Sequence, residues 1–266
     1  MSFVFFVDTL PFPDLSLKAA HHPGKGDGLS ILQGTLLNIC SGMRQLLPAQ
    51  PCVLCGSMSR DGLWCAACDL ALPYLDAPHC PVCALPVPGG EVCGHCLAHP
   101  PKFSRSVALF GYTFPLDKLI HTMKYGEQLA LAHAFGRKLA QRLAGTPLPD
   151  CIIPMPLHPA RLRDRGFNQS LLLGTGIARE LDIELLPRAC HRVRDTPPQS
   201  ALPWDERKNN VRGAFRCDAD LAGKHVALVD DVLTTGATLN ALAEAVKKRG
   251  AGEVSAWVVA RTLRKS

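Results

Sequence analysis

Four Cys-x2-Cys pairs at near-equal intervals constrain this chain more than any other feature. Eight cysteines lie between residues 52 and 96, and nine residues separate the first pair from the second and the third pair from the fourth. Two such pairs joined by a short hairpin supply four thiolates in the tetrahedral arrangement that zinc prefers. The spacing predicts two tandem zinc sites, although it is also compatible with interleaved pairing. The predicted ligands are Cys52, Cys55, Cys65 and Cys68 for the first site and Cys80, Cys83, Cys93 and Cys96 for the second.

A closed four-thiolate site leaves no open position for water, so both zinc ions are expected to be structural. The segment is mildly acidic, with Arg60 against four acidic residues, and phosphate binding needs basic side chains. We therefore favour a metal that replaces a hydrophobic core in a short segment, and a docking module for nucleic acid or protein is the alternative. An iron–sulfur cluster or redox dithiols are the other chemistry that such thiols serve.

Composition excludes two classes of protein. The chain is 47% hydrophobic with a mean hydropathy of +0.08, so it is not disordered as a whole. No stretch approaches the roughly 18 apolar residues that cross a bilayer. The apolar start lacks a basic flank and is interrupted by Asp8, Pro11 and Pro13, which predicts neither a signal peptide nor a membrane anchor. Regularly spaced thiols without an export signal then favour a reducing compartment, and we expect a cytoplasmic location.

The order of predicted elements divides the chain into three parts. Residues 1–50 are expected to be a weakly structured N-terminal extension, and a translation start at Met43 would remove residues 1–42 altogether. Residues 51–98 form a double zinc ribbon. Residues 104–266 alternate strands and helices, which predicts an α/β domain with a parallel sheet flanked by helices. The predicted strands are 107–113, 151–154, 225–231 and 253–261, the predicted helices are 115–124, 127–144, 169–180 and 239–250, and 188–212 is predicted to be irregular.

One segment near the end of the chain has the pattern of a phosphate-binding loop. An apolar strand ends in Asp230 and Asp231, and a loop of threonines with Gly236 then opens a helix. Backbone N–H groups of such a loop, together with a helix N-terminus, bind a phosphate dianion at the carboxyl edge of an open sheet. The two carboxylates suit ribose hydroxyls, directly or through Mg²⁺. A helix N-cap would explain one of these polar residues but not the whole pattern.

This segment resembles the phosphoribosyl pyrophosphate (PRPP) motif of the type I phosphoribosyltransferases. The resemblance implies that Asp230 and Asp231 bind the ribose and Mg²⁺. It also implies a 5′-phosphate site formed by Thr234, Thr235, Gly236, Ala237 and Thr238. Over residues 52–262 the chain resembles the ComF family, in which a double zinc ribbon precedes such a domain. The resemblance rests on the ribbon, HTMKYGE, IPMPLHPARLRDRGFNQS, DTPPQSALPWDERKNNVRGAF and the PRPP loop, in that order.

A basic segment upstream of this loop is the candidate pyrophosphate site. Arg161, Arg163 and Arg165 are predicted to lie on a loop ending at Gly166, a mobile cationic flap, with a solvated charged loop as the alternative. Lys124 is a second candidate cation, and a solvent-facing lysine is the alternative for it. Further candidates are Met155 and Pro156, whose peptide bond is a candidate cis bond, Phe167, Asn168 and Gln169 as flap anchors or acceptor contacts, and Arg192, Arg194, Thr196, Gln199, Arg207 and Asn210 as a hood over the site.

Two functional hypotheses follow, and no acceptor substrate is evident from the sequence. The first is a Mg²⁺-dependent phosphoribosyltransferase, a pentosyl glycosyltransferase, in which an unknown acceptor displaces pyrophosphate at the anomeric carbon of PRPP. The second is a non-catalytic PRPP-binding accessory protein of DNA uptake in natural competence, which holds single-stranded DNA through the basic region 97–216. That region carries a net charge of +8, but aromatic residues for base stacking are only 6% of the chain. A plain zinc-ribbon nucleic-acid binder is a third hypothesis.

Overall fold

The computed structural model describes residues 49–60, 62–125, 128–195 and 211–263. These residues all belong to the same folding unit, which spans residues 48–266. The N-terminal extension predicted for residues 1–50 lies almost entirely outside the described residues. Four of the predicted hood residues also lie outside them: Thr196, Gln199, Arg207 and Asn210.

The cysteine segment folds as two copies of one small unit. In the first copy β1 (Gln50–Pro51) pairs with β2 (Met58–Ser59), and α1 (Ala66–Leu70) follows. The second copy ends in α2 (Gly94–Ala98). In both copies the first cysteine accepts a turn hydrogen bond four residues on, from the N–H of Gly56 in one and of Ala84 in the other. Both of these residues have positive φ angles, of 76° and 56°, so the same tight turn is built twice.

A five-stranded parallel sheet forms the centre of the larger domain, in the order β3-β9-β8-β4-β5. Its strands read as apolar runs because helices cover both faces. Along β8, Val226 and Leu228 face one core cluster, and Ala227 and Val229 face the other. The sheet strands are β3 (Arg105–Gly111), β4 (Cys151–Pro154), β5 (Glu184–Leu185), β8 (His225–Leu233) and β9 (Glu253–Arg261).

Among the described residues, five helices and a short antiparallel ribbon complete the domain. The packing of α4 against α6 is very close, because a Cβ on Gly136 would lie 2.9 Å from the carbonyl oxygen of Leu173. The helices are α3 (Leu116–Tyr125), α4 (Leu129–Leu143), α5 (Pro159–Arg165), α6 (Gln169–Leu181) and α7 (Ala237–Lys247). The antiparallel ribbon joins β6 (Cys190–Arg192) to β7 (Phe215–Cys217).

The zinc ribbon covers the free edge of β3. The N–H of Leu75 donates to the carbonyl of Leu109 at 3.0 Å, and the N–H of Gly111 donates to the carbonyl of Pro73 at 2.8 Å. These bonds satisfy backbone groups that an edge strand would otherwise leave open. The centre of the Trp64 ring, in the ribbon, also lies 5.3 Å from that of the Phe135 ring on helix α4. The ribbon is thus part of the same packed structure as the sheet.

The predicted strands and helices are all observed in the predicted order, and in the larger domain the structure adds α5, β5, β6 and β7, which were not predicted. The first strand of the sheet spans Arg105–Gly111 instead of 107–113, because it begins where the chain pairs with β9 at Ser255. The prediction that 188–212 is irregular is wrong at its start, where Cys190–Arg192 forms β6. That strand pairs with residues 215–217, so its partner lies beyond the segment whose composition suggested a loop.

Candidate functional site

The two predicted carboxylates lie near the carboxyl end of β8 and contact the start of α6. The Asp231 side chain is buried, and its Oδ2 atom lies 2.8 Å from Nζ of Lys124 and accepts from Nε2 of Gln169 at 3.1 Å. Asp230 accepts from Oγ of Ser170 at 3.1 Å. Lys124 is therefore partly buried and paired with a carboxylate, and is not a free solvent-facing lysine. It neutralises a carboxylate of the predicted ribose site.

Burial changes the ionisation of this cluster. Burial and the neighbouring charge of Asp231 raise the pKa of Asp230 to about 7. Burial alone would lower the pKa of Lys124, but the charges of Asp231 and Asp230 raise it above its ordinary value. A second cation that approached this cluster would favour the ionised form of Asp230.

The predicted phosphate loop follows directly and begins α7. Gly236 is the N-cap residue of α7 with φ +80°, a conformation that favours glycine. The Oγ1 atom of Thr235 accepts from the N–H of Ala237 at 3.2 Å. Asp230, Thr234, Gly236 and Thr238 line a shallow depression at this edge. The loop and one of the carboxylates thus face a common space at the N-terminus of a helix of 11 residues, as an anion site requires.

The arginine segment is a helix and not the loop that we predicted. His158 caps α5, Pro159 occupies its first turn, and Gly166 ends it with φ 81°. The Nη1 atom of Arg165 donates to Oε1 of Gln169 at 2.6 Å, and its guanidinium lies 5.2 Å from the ring centre of Tyr125. Arg165 is thereby connected to Asp231 through Gln169.

The other two arginines of α5 have different surroundings. The Nε atom of Arg161 lies 3.7 Å from Oδ1 of Asp195, whereas Arg163 is exposed. The three side chains therefore do not act as one free cationic run in the described structure.

Asn168 connects the two segments that were predicted to bind pyrophosphate. Its Oδ1 atom caps α6 by accepting from the N–H groups of Ser170 and Leu171, and its Nδ2 atom donates to the carbonyl of Met155 at 3.0 Å. The prediction of a cis bond before Pro156 is wrong. Among the described residues the cis peptide bond is Phe114–Pro115. The 155–156 turn is held by Asn168.

One predicted hood residue, Arg192, lies close enough to Asp230 to interact with its charge. Arg192 on β6 is buried, and its guanidinium lies 5.6 Å from the ring centre of Phe215. Burial and the charge of Arg161 lower its pKa, and the charge of Asp230 opposes them. Arg194 instead donates to the carbonyl of Arg212 at 2.7 Å.

The eight ribbon cysteines form two clusters with the predicted sequential pairing. Within each cluster the four Sγ atoms lie within 4.8 Å of one another, which excludes interleaved pairing. The N–H of Cys65 donates to Sγ of Cys52, and the N–H of Cys93 donates to Sγ of Cys80. Burial alone would raise these thiol pKa values, but backbone N–H donors lower that of Cys52 to about 6 and that of Cys80 to about 7. Four converging thiols in each cluster, the first of which is held toward the thiolate form by backbone N–H donors, fit structural zinc.

Two residues that contact Asp230 or the phosphate loop, Ser170 and Arg261, were not predicted as site residues. Ser170 contacts Asp230, and its position in the polar run Asn168–Ser170 before an apolar helix is a signal that could have identified it. Arg261 ends β9 and donates to carbonyl groups of the phosphate loop. A charged residue at the end of an otherwise apolar strand was the available signal.

Comparisons with known proteins match two parts of the chain. Residues 43–97 match the family profile described as double zinc ribbon domain, and residues 168–265 match that described as phosphoribosyl transferase domain. The chain is 38% identical over 221 residues to the DNA utilization protein YhgH of Escherichia coli, covering 80% of this chain and 97% of that protein. It is 33% identical over 219 residues to competence protein F of Haemophilus influenzae, covering 77% and 92%.

Two further findings bear on the class of protein. A purine phosphoribosyltransferase from Pyrococcus horikoshii aligns at 21% identity over 59% of this chain and 87% of its own, but the TM-score of 0.30 is too low to support an argument. The fold assignment rests on the sheet topology and on the profile match. Among the described helices, none combines the length and the apolar character that a bilayer crossing requires.

Proposed function

The chain belongs to the ComF family, and on that premise we propose that it binds PRPP with Mg²⁺ and transfers the phosphoribosyl group to a nucleophilic acceptor. One observation carries the proposal. Asp230 and Asp231 lie beside the loop 234–238 at the carboxyl edge of a parallel sheet, and that loop opens α7. Carboxylates that receive hydroxyls and N–H groups that receive phosphate are needed at adjacent positions to bind a ribose 5-phosphate.

In this proposal, groups of the ligand replace some of the contacts that the protein's own side chains make with one another. Asp230 and Asp231 would hold the ribose hydroxyls and Mg²⁺, and Lys124 would turn from Asp231 toward the pyrophosphate. Arg192 and Arg161 add positive charge beside Asp230. The pair between Lys124 and Asp231 places this lysine beside the carboxylates from which it would turn.

The proposed reaction is a displacement at the anomeric carbon of the ribose. The bond between that carbon and the pyrophosphate oxygen breaks, its electron pair leaves with pyrophosphate, and the acceptor supplies the pair for the new bond. The protein contributes by fixing the 5′-phosphate and by stabilising the departing charge with Lys124 and the arginines. When Mg²⁺ is held by Asp230 and Asp231 with PRPP, it would neutralise part of the same charge.

Calorimetry and a pyrophosphate assay test the two parts of the proposal separately. PRPP is titrated with Mg²⁺ or with EDTA, and we expect Asp231→Asn to weaken Mg²⁺-dependent binding by about tenfold or more. Asp218→Asn is the control, since the Asp218 carboxylate pairs with Arg216 and its carbonyl accepts from Arg249, which follows the end of α7. Release of pyrophosphate is then followed over a panel of nitrogen nucleophiles. Absence of PRPP binding by the wild type would overturn the proposal, and binding without release over a broad panel would remove its catalytic part.

A second candidate function is support of DNA uptake without catalysis, in which PRPP and single-stranded DNA bind the same protein. The names of the relatives, a DNA utilization protein and a competence protein, favour this candidate. The exposed ring of Tyr125 beside Arg165 is a surface of the kind that stacks with bases.

Fluorescence anisotropy with a labelled oligo-dT tests the second candidate. We expect salt-sensitive binding that Arg163→Ala weakens and that the equally exposed Arg179→Ala, at the far end of α6, leaves unchanged. Equal effects of the two substitutions would contradict a specific surface. Both candidates place the protein in the cytoplasm, where thiols stay reduced and PRPP is available.

A further inference from the structure

Arg261 joins the second cysteine cluster to the phosphate loop. It is the last residue of β9, and only 5% of its surface is exposed. Its Nε atom donates to the carbonyl of Cys83 at 2.7 Å. Its Nη1 atom donates to the carbonyls of Leu233 at 2.8 Å and of Thr234. One guanidinium therefore holds a zinc-ligand residue and the first residues of the loop together.

These hydrogen bonds fix the orientation of the loop's peptide groups. In a trans peptide the carbonyl of one residue and the N–H of the next point in opposite directions. Because Arg261 holds the carbonyls of Leu233 and Thr234, the N–H groups of Thr234 and Thr235 point away from it. A phosphate loop depends on the direction of such N–H groups, so Arg261 acts on the property that determines anion binding.

The second cluster packs on the loop's side of the sheet and the first cluster does not. Ala84, next to Cys83, is fully buried in the same core cluster as Leu233 and Leu239. The first cluster instead contacts α4 on the opposite face, where Trp64 packs beside Phe135. The two metal sites therefore have different neighbours although their sequences and turns repeat.

We propose that Arg261 is a positioning residue that couples the metal in the second cysteine cluster to the conformation of the phosphate loop. Metal at Cys80, Cys83, Cys93 and Cys96 holds the Cys83 carbonyl in place, and this carbonyl orients the guanidinium that orients the loop. The second metal is then required for anion affinity at residues 234–238, and the first metal is not. The identity of the anion as PRPP rests on the proposed function, whereas the mechanical coupling does not.

Hydrogen–deuterium exchange of the full chain tests the coupling without any ligand. Cys93→Ser and Cys65→Ser are matched variants, because each residue is the N-cap of the helix in its cluster and donates its N–H to the first cysteine. We expect Cys93→Ser to accelerate exchange in peptides covering 233–240 by about tenfold, equivalent to about 1.4 kcal/mol of local opening. Cys65→Ser is expected to change exchange in the ribbon and α4 while these peptides remain within about twofold of wild type.

Substitution of Arg261 gives a second measurement at the other end of the link. Arg261→Lys keeps the charge but cannot hold several carbonyls with one planar group, so we expect faster loop exchange with two zinc ions still bound per chain. The dissociation constant for PRPP with Mg²⁺ is expected to rise about tenfold in Arg261→Lys and in Cys93→Ser, and not in Cys65→Ser. Zinc content by mass spectrometry shows whether each cysteine variant has lost one of its two ions.

Three results would overturn the inference. The first is equal acceleration of loop exchange by the two cysteine variants, the second is no acceleration by Cys93→Ser, and the third is wild-type loop exchange in Arg261→Lys. If the wild type does not bind PRPP, the proposed function fails, and the exchange data still decide the coupling. If the lysine variant does not fold, the matched cysteine variants decide it alone.

Discussion

The Nζ atom of Lys124 lies 2.8 Å from Oδ2 of Asp231, and the same oxygen accepts a hydrogen bond from Gln169. Asp231 is only 5% exposed, and residues of α3 and α6 compensate its charge. Elements that are far apart in sequence thus meet at one carboxylate. Because Lys124 already neutralises Asp231, a ligand cation would compete with Lys124 for this carboxylate.

Replacement of Lys124 by methionine should destabilise the ligand-free protein. Asp231 would keep Gln169 as a donor but lose its cation, and removing one partner of a largely buried pair costs about 2–3 kcal/mol after a reduction for the partial exposure of the lysine. Mg²⁺ should restore part of this loss by taking the place of the ammonium group. Denaturant unfolding with and without Mg²⁺ measures both effects. Lys118→Met, at an exposed position of the same helix, is the control and should stay near wild type.

Binding of PRPP with Mg²⁺ should strengthen as pH rises through the pKa of Asp230. Burial and the charge of Asp231 raise that pKa to about 7, so the free protein at about pH 6 holds a proton that the bound cation expels. Affinity should increase about tenfold between about pH 6 and about pH 8 from this group alone. Calorimetry in buffers of different ionisation enthalpy counts the released proton. Asp230→Asn should leave only the proton that belongs to the ligand, and an unchanged proton count would contradict the assignment.

The contact between α4 and α6 should not tolerate a methyl group at Gly136. A Cβ there would lie 2.9 Å from the Leu173 carbonyl oxygen, and this atom is backbone and cannot rotate away. Gly136→Ala is therefore expected to destabilise the fold by about 2–3 kcal/mol, despite the higher helix propensity of alanine. Gly94→Ala is the control, because no atom lies within 4 Å of the added Cβ. Thermal and denaturant unfolding of both variants measures the difference, and equal stability would contradict the packing.

Lys138 should contribute to docking of the ribbon on the domain. Its Nζ atom lies 2.8 Å from Oδ1 of Asp69 and donates to the hydroxyl of Tyr74 at 2.9 Å. The pair is partly buried, and Lys138→Met should cost about 1–2 kcal/mol. Lys248→Met, which removes an exposed pair with Glu244, should cost less than about 0.5 kcal/mol. Exchange in residues 62–76 should rise selectively in the Lys138 variant, and a uniform change over the chain would contradict a docking role.

The sequence predicted those parts of the site that are formed by neighbouring residues. The zinc ligands follow from spacing, since each knuckle is local and its partner lies nine residues away. The adjacency of Asp230 and Asp231 to the loop follows from one strand, one turn and one helix. The helix α5 could also have been predicted, because Pro159 in its first turn and Gly166 after its end are ordinary helix boundaries. Its density of arginines led us to predict a loop.

The sequence by itself determined which reactive side chains are grouped together. These are two sets of four thiols between residues 52 and 96, and a pair of carboxylates before a phosphate loop. Short-range geometry decides these, so spacing suffices. Tertiary structure alone decided that Lys124 pairs with Asp231, that Gln169 connects Arg165 to it, and that Arg261 links Cys83 to Thr234. Each of these contacts requires strands and helices to be placed side by side, and the burial of many dispersed apolar residues decides that arrangement.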